Sequence, residues 1–174
     1  MNKGIAAAPE TRLLAKVAQG DHAAFRELYE SMSRSVYFYL YRILRDESLA
    51  EDVQVEVFTQ VWKGAARFRG RSKVKTWIFG IARNLAMNEL RKSRHHANID
   101  EYPHVADENQ PNPDDAGRKW FLEKAMGMLS DKHREVLDLV FFQQMNYQEI
   151  ADILAISVNT VKTRVFYAKS ALRK

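Results

Sequence analysis

The sequence predicts an all-helical protein with two small domains, and three observations support that fold class. Glycine and proline are scarce, at 7 and 4 of 174 residues, whereas good helix formers are common. Apolar residues recur at three- and four-residue steps, the period of an amphipathic helix. A polar, proline-containing acidic stretch interrupts this pattern. We therefore predict a helical domain over residues 10–95, a flexible acidic linker over 96–117 and a second helical domain over 118–174.

In the first domain, Gly20-Asp21 marks the end of one helix and the start of the next. Glycine commonly ends a helix, and aspartate commonly caps the next one. Apolar residues then recur at helical spacing from Phe25 to Ile43. This pattern predicts a long helix that ends at about Leu44.

A third helix is predicted to begin at Ser48 and to end at about Gly64. Ser48 and Glu51 have the spacing of a capping box, in which each side chain satisfies a backbone amide. The helix has two apolar stripes, which means that it is either buried between neighbours or offers a face to another protein. The pattern leaves both possibilities open. The stripes are Leu49, Val53, Val57 and Val61, and Val55, Phe58 and Trp62.

The segment from Arg67 to Trp77 is a basic loop in which two aromatic residues, Phe68 and Trp77, are embedded. Such a loop suits single-stranded nucleic acid, because cations follow phosphates and rings stack on bases for about 1–3 kcal/mol per base. Packing of Phe68 and Trp77 in the core is the alternative. Gly80, in the next helix, is expected where a ligand or another backbone must come close. The candidate nucleic-acid-binding residues are Phe68, Arg69, Arg71, Lys73, Lys75, Trp77, Arg83, Asn84, Asn88 and Arg91.

The last quarter of the chain has the pattern of a helix-turn-helix. Asn146 and Glu149 form a capping box for its first helix, and Ser157 can cap its second helix after a turn at Ala155. The second helix of this motif usually enters the major groove of DNA, and a solvated basic helix is the alternative. Its inward residues are predicted to be Val161, Val165, Ala168 and Leu172. Its candidate DNA-binding residues are Asn159, Thr160, Lys162, Thr163, Arg164, Phe166, Tyr167, Lys169 and Arg173.

Charge is distributed unevenly along the chain. The formal net charge is +5 and the sequence pI is about 9.4, which indicates an acidic partner. Cations dominate residues 67–94 and the segment after Val158, whereas residues 98–116 carry acids alone. Two basic blocks are thus separated by an acidic segment.

Taken together, these segments resemble the extracytoplasmic-function (ECF) group of bacterial sigma factors, the promoter-specificity subunits of RNA polymerase. The matching segments stand in the family's order and spacing and cover nearly the whole chain apart from the N-terminal tip and the linker. They are DHAAFRELY at 21–29, AEDVQVEVF at 50–58 with Trp62, TWIFGIARN at 76–84, LSDKHREVL at 129–137, YQEIA at 147–151 and TVKTRVF at 160–166.

The resemblance implies a transcription initiation factor without catalytic residues, metal or cofactor. Its implied partners are core RNA polymerase, through the clamp of the largest subunit, and promoter DNA, with an anti-sigma factor as a further partner. The first domain would read and melt the downstream promoter element, with Phe68 and Asn84 lining a pocket for a flipped base. The second domain would bind the upstream element. The implied polymerase-binding residues are Leu49, Asp52, Val55, Glu56 and Gln60.

Four positions depart from the family's usual residues. The family usually has glutamine where Val55 stands and proline where Ser130 stands, although serine can still cap a helix. It often has glycine where Ala155 and Asn159 stand. Alanine does not adopt positive φ cheaply, so a slightly different turn is expected at Ala155.

Two other functions are compatible with parts of the sequence. A free-standing helix-turn-helix regulator would use the N-terminal half to sense a ligand or to dimerise, but such a domain does not need a basic aromatic loop. A nuclease would need a metal site, for which the candidates are His95, His96, Asp100, Glu101 and His104. These lie at the edge of the predicted linker, where no helix fixes ligand geometry.

Composition also limits the location of the protein. The chain has no cysteine, which excludes disulfides and thiolate metal sites. No apolar run approaches the roughly 20 residues of a membrane span. The apolar run near the N-terminus, Ile5 to Ala8, is too short for a secretory signal. We therefore expect a cytoplasmic protein without membrane insertion.

Overall fold

The computed structural model describes residues 8–97 and 129–172, with side chains at 8–93 and 129–172. Within these ranges the regular structure is helical, as predicted, and contains no strand. The predicted linker from residue 98 onward and Arg173 lie outside the described residues. The helices are α1 (Pro9–Val17), α2 (His22–Leu44), α3 (Glu47–Gly64), α4 (Val74–Ala97), α5 (Asp131–Leu137), α6 (Tyr147–Leu154) and α7 (Val158–Leu172).

Two compact units make up the described part of the chain. The first contains α1, α2, α3 and α4 as far as Leu90. In this unit α1 and α3 both pack on α2. The rings of Tyr39 on α2 and Phe79 on α4 lie 5.1 Å apart, and both side chains are fully buried. A hydrogen bond of 2.6 Å from Gln54 Nε2 to the Ser33 carbonyl further ties α3 to α2.

Aspartate residues cap α2 and α3 in the first unit. Asp21 accepts hydrogen bonds from the amides of Ala23 and Ala24, which confirms the predicted start of α2. The predicted capping box at Ser48 is wrong, because Asp46 caps α3 and accepts from the Leu49 amide at 2.8 Å. Arg45 ends α2 in the left-handed conformation, with φ of 56°, so the chain turns within two residues and α3 starts earlier than predicted.

The second unit contains most of the remaining described residues. In this unit α5 packs on α7, and a π-helical segment, Asp138–Phe142, follows α5 directly. The backbone N–H of Gln143 donates a hydrogen bond to the backbone carbonyl of Asp138, five residues earlier. This spacing defines a π-turn. Ser130 occupies the cap position of α5, but its side chain makes no capping hydrogen bond, contrary to expectation.

The helix-turn-helix has both predicted caps. The side chain of Asn146 accepts a hydrogen bond of 2.9 Å from the backbone N–H of Glu149. The side chain of Glu149 accepts one of 2.9 Å from the backbone N–H of Asn146, which confirms the capping box. Ser157 Oγ accepts from the Thr160 amide at 3.1 Å. Between the helices Ala155 has φ of 53°, so the turn keeps a left-handed residue although glycine is absent.

We expect Ala155→Gly to raise the free energy of unfolding by about 0.5–1 kcal/mol. The left-handed conformation costs a non-glycine residue about 1–2 kcal/mol, and the greater freedom of glycine in the unfolded chain offsets part of that gain. Urea unfolding followed by circular dichroism measures the difference. Ala171→Gly, at an exposed helical position of α7, is the matched control and should lower stability. A loss of stability in Ala155→Gly would contradict the left-handed turn.

Candidate nucleic-acid interface

The basic aromatic loop between α3 and α4 turns at a glycine. Gly70 has φ of 65°, a conformation that costs glycine little and other residues more. The cations on either side of it, Arg69, Arg71 and Lys73, are exposed. Lys75 is half-buried, and its Nζ lies 5.9 Å from the centre of the Phe79 ring, so this cation packs partly against its own helix. Together with Arg67, which is also exposed, the loop therefore presents four positive side chains to solvent.

Trp77 and Phe68 pack against each other at the base of this loop. Their ring centres are 5.1 Å apart, and both residues are half-buried. An added Cβ at Gly64 would lie 3.1 Å from Trp77 Cζ2, so the glycine lets the indole approach the end of α3. The two rings are thus neither fully buried nor fully exposed. The sequence had left open whether they pack in the core or stack on nucleic acid.

A pocket of about 370 Å³ opens beside the indole of Trp77. Its wall combines an aromatic ring with two cations, Lys63 and Arg67, and the amide of Gln60. This combination provides a surface on which a base can stack and positive charge for its phosphate. Phe68 and Asn84 are not among the residues that line this pocket. Its lining residues are Gln60, Lys63, Gly64, Arg67, Trp77 and Ile81.

One face of α4 continues from the pocket along the helix. Apart from its chain neighbours and the backbone of its own helix, no described atom lies within 4 Å of a Cβ added at Gly80, so packing against other elements does not require a glycine there. Asn84, Asn88 and Arg91 are exposed further along α4, and Arg83 is half-buried. The face offers amide groups and positive charge beside an open notch.

The outer face of α3 is acidic with one exposed apolar residue. Asp52 and Glu56 are exposed, and Val55 is 67% exposed between them. Leu49 and Gln60, the other predicted members of this face, are half-buried, and Gln60 Nε2 donates to Glu56 Oε1 at 3.2 Å. The opposite side of the helix is buried through Val53, Val57 and Val61. One side of α3 is therefore core, and the other is exposed to solvent.

An aromatic cluster extends the open side of α3 towards α2. The Trp62 ring stacks on His22 at 4.8 Å and meets Phe25 edge-on at 5.2 Å. Phe58 contacts the ring of Tyr29, which is 39% exposed. The exposure of Tyr29 was not predictable from the sequence, since a tyrosine at helical spacing is expected in the core.

The outer side of α7 carries most of the predicted groove-facing residues. Val161, Val165 and Ala168 are buried, as predicted, and Leu172 is half-buried. Thr160 and Arg164 are half-buried at the sides of the helix. Phe166 and Tyr167 are 66% and 56% exposed, and their rings meet edge-on at 5.6 Å. The remaining exposed members of the predicted set are Asn159, Lys162, Thr163 and Lys169.

Two phenylalanines of the π-helical segment are also exposed, and sequence analysis missed them. Phe141 and Phe142 are 56% and 40% exposed. Lys169 Nζ lies 5.3 Å from the centre of the Phe141 ring, which joins this surface to the side of α7. The apolar run from Leu139 to Phe142 has the composition of a core segment, so nothing in it signals an exposed surface.

No metal cluster is found among the side chains of residues 8–93 and 129–172, and no membrane-spanning helix among residues 8–97 and 129–172. The candidate metal ligands Asp100, Glu101 and His104 lie outside the described residues, as do the side chains of His95 and His96.

A helix-turn-helix and a basic aromatic loop on an all-helical scaffold define a DNA-binding protein of transcription. Family profiles agree with this class. The profile of Sigma-70 region 2 matches residues 28–96, and that of Sigma-70 region 4 matches residues 125–174.

Curated relatives match along nearly the full chain. An ECF RNA polymerase sigma factor SigK from Mycolicibacterium vanbaalenii is 31% identical over 93% of this chain and 86% of its own length. An ECF RNA polymerase sigma factor SigW from Bacillus subtilis is 30% identical over 91% of this chain and 92% of its own length. The chain belongs to the extracytoplasmic-function group of RNA polymerase sigma factors.

Two solved structures share the fold. CnrH, solved in complex with the cytosolic domain of CnrY, has a TM-score of 0.71 at 21% identity over 95% of this chain and 96% of its own. The sigma factor RpoE from Bartonella quintana, solved with the anti-sigma factor NepR, has a TM-score of 0.75 at 23% identity, over 86% of this chain and 94% of its own.

Proposed function

We propose that this sigma factor binds core RNA polymerase through α3, melts the downstream promoter element with the loop before α4, and binds the upstream element with α7. It has no catalytic activity of its own and acts in the cytoplasm, where polymerase and DNA meet. The observation that carries the proposal is the pairing of a solvent-exposed basic aromatic loop with a helix-turn-helix in one chain. A free-standing regulator needs the second feature and not the first.

We place the functional boundaries at residues 10–95 for core binding and melting and 118–174 for the upstream element, with 96–117 between them. The matches of regions 2 and 4 to separate parts of the chain support this division. The acids of the connecting segment would direct it towards the nucleic-acid channel of the polymerase, because negative charge can imitate nucleic acid.

The downstream site combines the exposed loop cations with the pocket beside Trp77. Melting requires bases to leave the duplex stack, at a cost of a few kcal/mol that capture of a flipped base offsets. The pocket's indole and its two cations support such a capture. Asn84 supplies an amide that can pair with a base edge, and the open notch at Gly80 lets the DNA strand approach α4.

The polymerase contact is proposed on the outer face of α3. At position 55 the family usually has glutamine, which would offer hydrogen bonds. Val55 offers apolar area instead. The flanking acids Asp52 and Glu56 then supply the charge that recognises a basic surface on the clamp.

An anti-sigma factor is a further proposed partner. RpoE was solved with one, and the exposed apolar surfaces at Val55 and at Phe141 are compatible with a protein that covers either unit. The inducing signal, proposed to be a stress or envelope signal, would act through release of that partner.

We expect Lys162→Ala to weaken binding of the holoenzyme to upstream-element DNA at all sequences alike. A lysine at a phosphate releases about one counterion, so the slope of log K against log salt should become shallower by about 0.9. Fluorescence anisotropy over a salt series measures this slope. Glu135→Ala, in α5, serves as a control for folding of the second unit. An unchanged slope would argue against α7 as the groove-facing helix.

Gel filtration with core polymerase tests the proposal as a whole. The chain should co-elute with core enzyme at modest ionic strength. Elution of the two as separate peaks would contradict the proposed function.

A further inference from the structure

The exposed side of α7 is arranged in rows along the helix. At about 100° per residue, the outermost row is built from every third or fourth residue. Lys162 and Lys169 fall on one flank of this row, and Tyr167 falls on the other. The four residues of the row are all exposed, and they are Asn159, Thr163, Phe166 and Ser170.

Two of these side chains have already used their hydroxyl donors. Thr163 Oγ1 donates to the Asn159 carbonyl at 2.9 Å, and Ser170 Oγ donates to the Phe166 carbonyl at 3.0 Å. The row therefore offers DNA one amide, two oxygen acceptors, a methyl group and a phenyl ring. Among the described residues of α7, arginine, the usual bidentate reader of guanine, does not stand in this row, because Arg164 is half-buried at the side of the helix.

The phenyl ring of Phe166 is the largest group in the middle of the row. It is 66% exposed, and the edge-on contact with Tyr167 at 5.6 Å supports the ring from one side. In the major groove a base pair presents one apolar group, the 5-methyl of thymine, and phenylalanine is among the side chains that contact it. The lysines on the neighbouring flank can meet phosphates at the groove wall.

We propose that Phe166 reads a thymine 5-methyl group in the upstream promoter element, so that an A·T pair lies opposite the middle of α7. This inference rests on the proposed function, because it takes α7 as the groove-facing helix. Burial of one methyl group is worth about fourfold in affinity. The contact therefore adjusts specificity at one base pair rather than supplying most of the binding.

Removal of that methyl group from the DNA tests the inference. Two duplex libraries with a randomised upstream element are prepared, one with thymidine and one with deoxyuridine, which lacks the 5-methyl group. Holoenzyme reconstituted from core polymerase selects from both. Wild-type protein should enrich thymine at one position in the first library and lose that preference in the second. In the best selected duplex, thymine to uracil at this position should weaken binding about fourfold.

Protein variants separate the methyl contact from general DNA binding. Phe166→Ala should bind the thymine and uracil duplexes equally well. Lys162→Ala should bind both more weakly but keep the fourfold difference between them. If uracil has no effect at any enriched thymine, or has the same effect in Phe166→Ala, the inference is overturned and the proposed function stands. If wild-type holoenzyme enriches no sequence from either library, both are overturned.

Discussion

Replacement of Asp52 and Glu56 by lysine is expected to abolish binding to core RNA polymerase while the protein stays folded. Both carboxylates are exposed on the outer face of α3, and the buried side of the helix remains unchanged. Like charges placed against each other at an interface cost several kcal/mol, so the Kd should rise about a hundredfold or more. A pull-down with core enzyme measures the loss, and circular dichroism at 222 nm checks that helicity is retained.

A matched pair of charge reversals controls for the change in net charge. Glu27→Lys with Glu30→Lys alters the total charge equally, at exposed positions of α2 on the helix side away from the Phe58 contact. This variant should keep wild-type affinity for core polymerase. If the α3 double variant binds as tightly as the control, the exposed face of α3 is not the polymerase contact, and its acids are a solvated surface.

Asn84→Ala is expected to leave duplex binding intact and to reduce open-complex formation about tenfold or more. Asn84 is exposed on α4, so its removal leaves no cavity, and alanine raises helix propensity. The lost amide is the group proposed to pair with an unstacked base, and hydrogen bonds of this kind are worth about 1–2 kcal/mol. Permanganate reactivity of thymines in the melted strand measures the open complex, and a gel shift at low temperature measures duplex binding.

Ser93→Ala, at another exposed position of α4, should melt the promoter like the wild type. Normal permanganate reactivity in Asn84→Ala would remove this residue from the melting site. Reduced duplex binding in the same variant would instead assign Asn84 to a contact with double-stranded DNA.

Elements with strong local signals were predictable from the sequence. The capping box of Asn146 and Glu149, the cap at Asp21 and the buried stripe of α7 all appear where their residue types require them. Each cap signal lies within one helical turn, and the stripe follows the helical period, so tertiary contacts did not need to be known.

The start of α3 and the surface of the π-helical segment were not predictable in the same way. Asp46 and Ser48 are both good helix caps. Which of them caps α3 depended on how sharply the chain turns after α2, at Arg45. Phe141 and Phe142 have the composition of core residues. They are exposed because a π-turn changes the angle between successive side chains, and no short sequence motif marks such a turn.

The residues of the candidate site were predicted more accurately than the pocket that they form. The loop cations and Trp77 were selected from the sequence because a run of cations there contains two aromatic residues. The pocket beside Trp77 depends on a close approach of the indole to Gly64, a contact between two consecutive helices that no local sequence pattern marks. Lys63 and Arg67 were therefore missed as lining residues.

Runoff transcription from a promoter library tests the central claim, that this chain gives core RNA polymerase its promoter specificity. Core enzyme is assayed alone, with the wild-type chain and with the Asp52→Lys, Glu56→Lys variant. We predict discrete transcripts from a defined subset of promoters with the wild-type chain, and none above the level of core enzyme alone with the variant. Identical transcripts from core enzyme with and without the wild-type chain would contradict the claim.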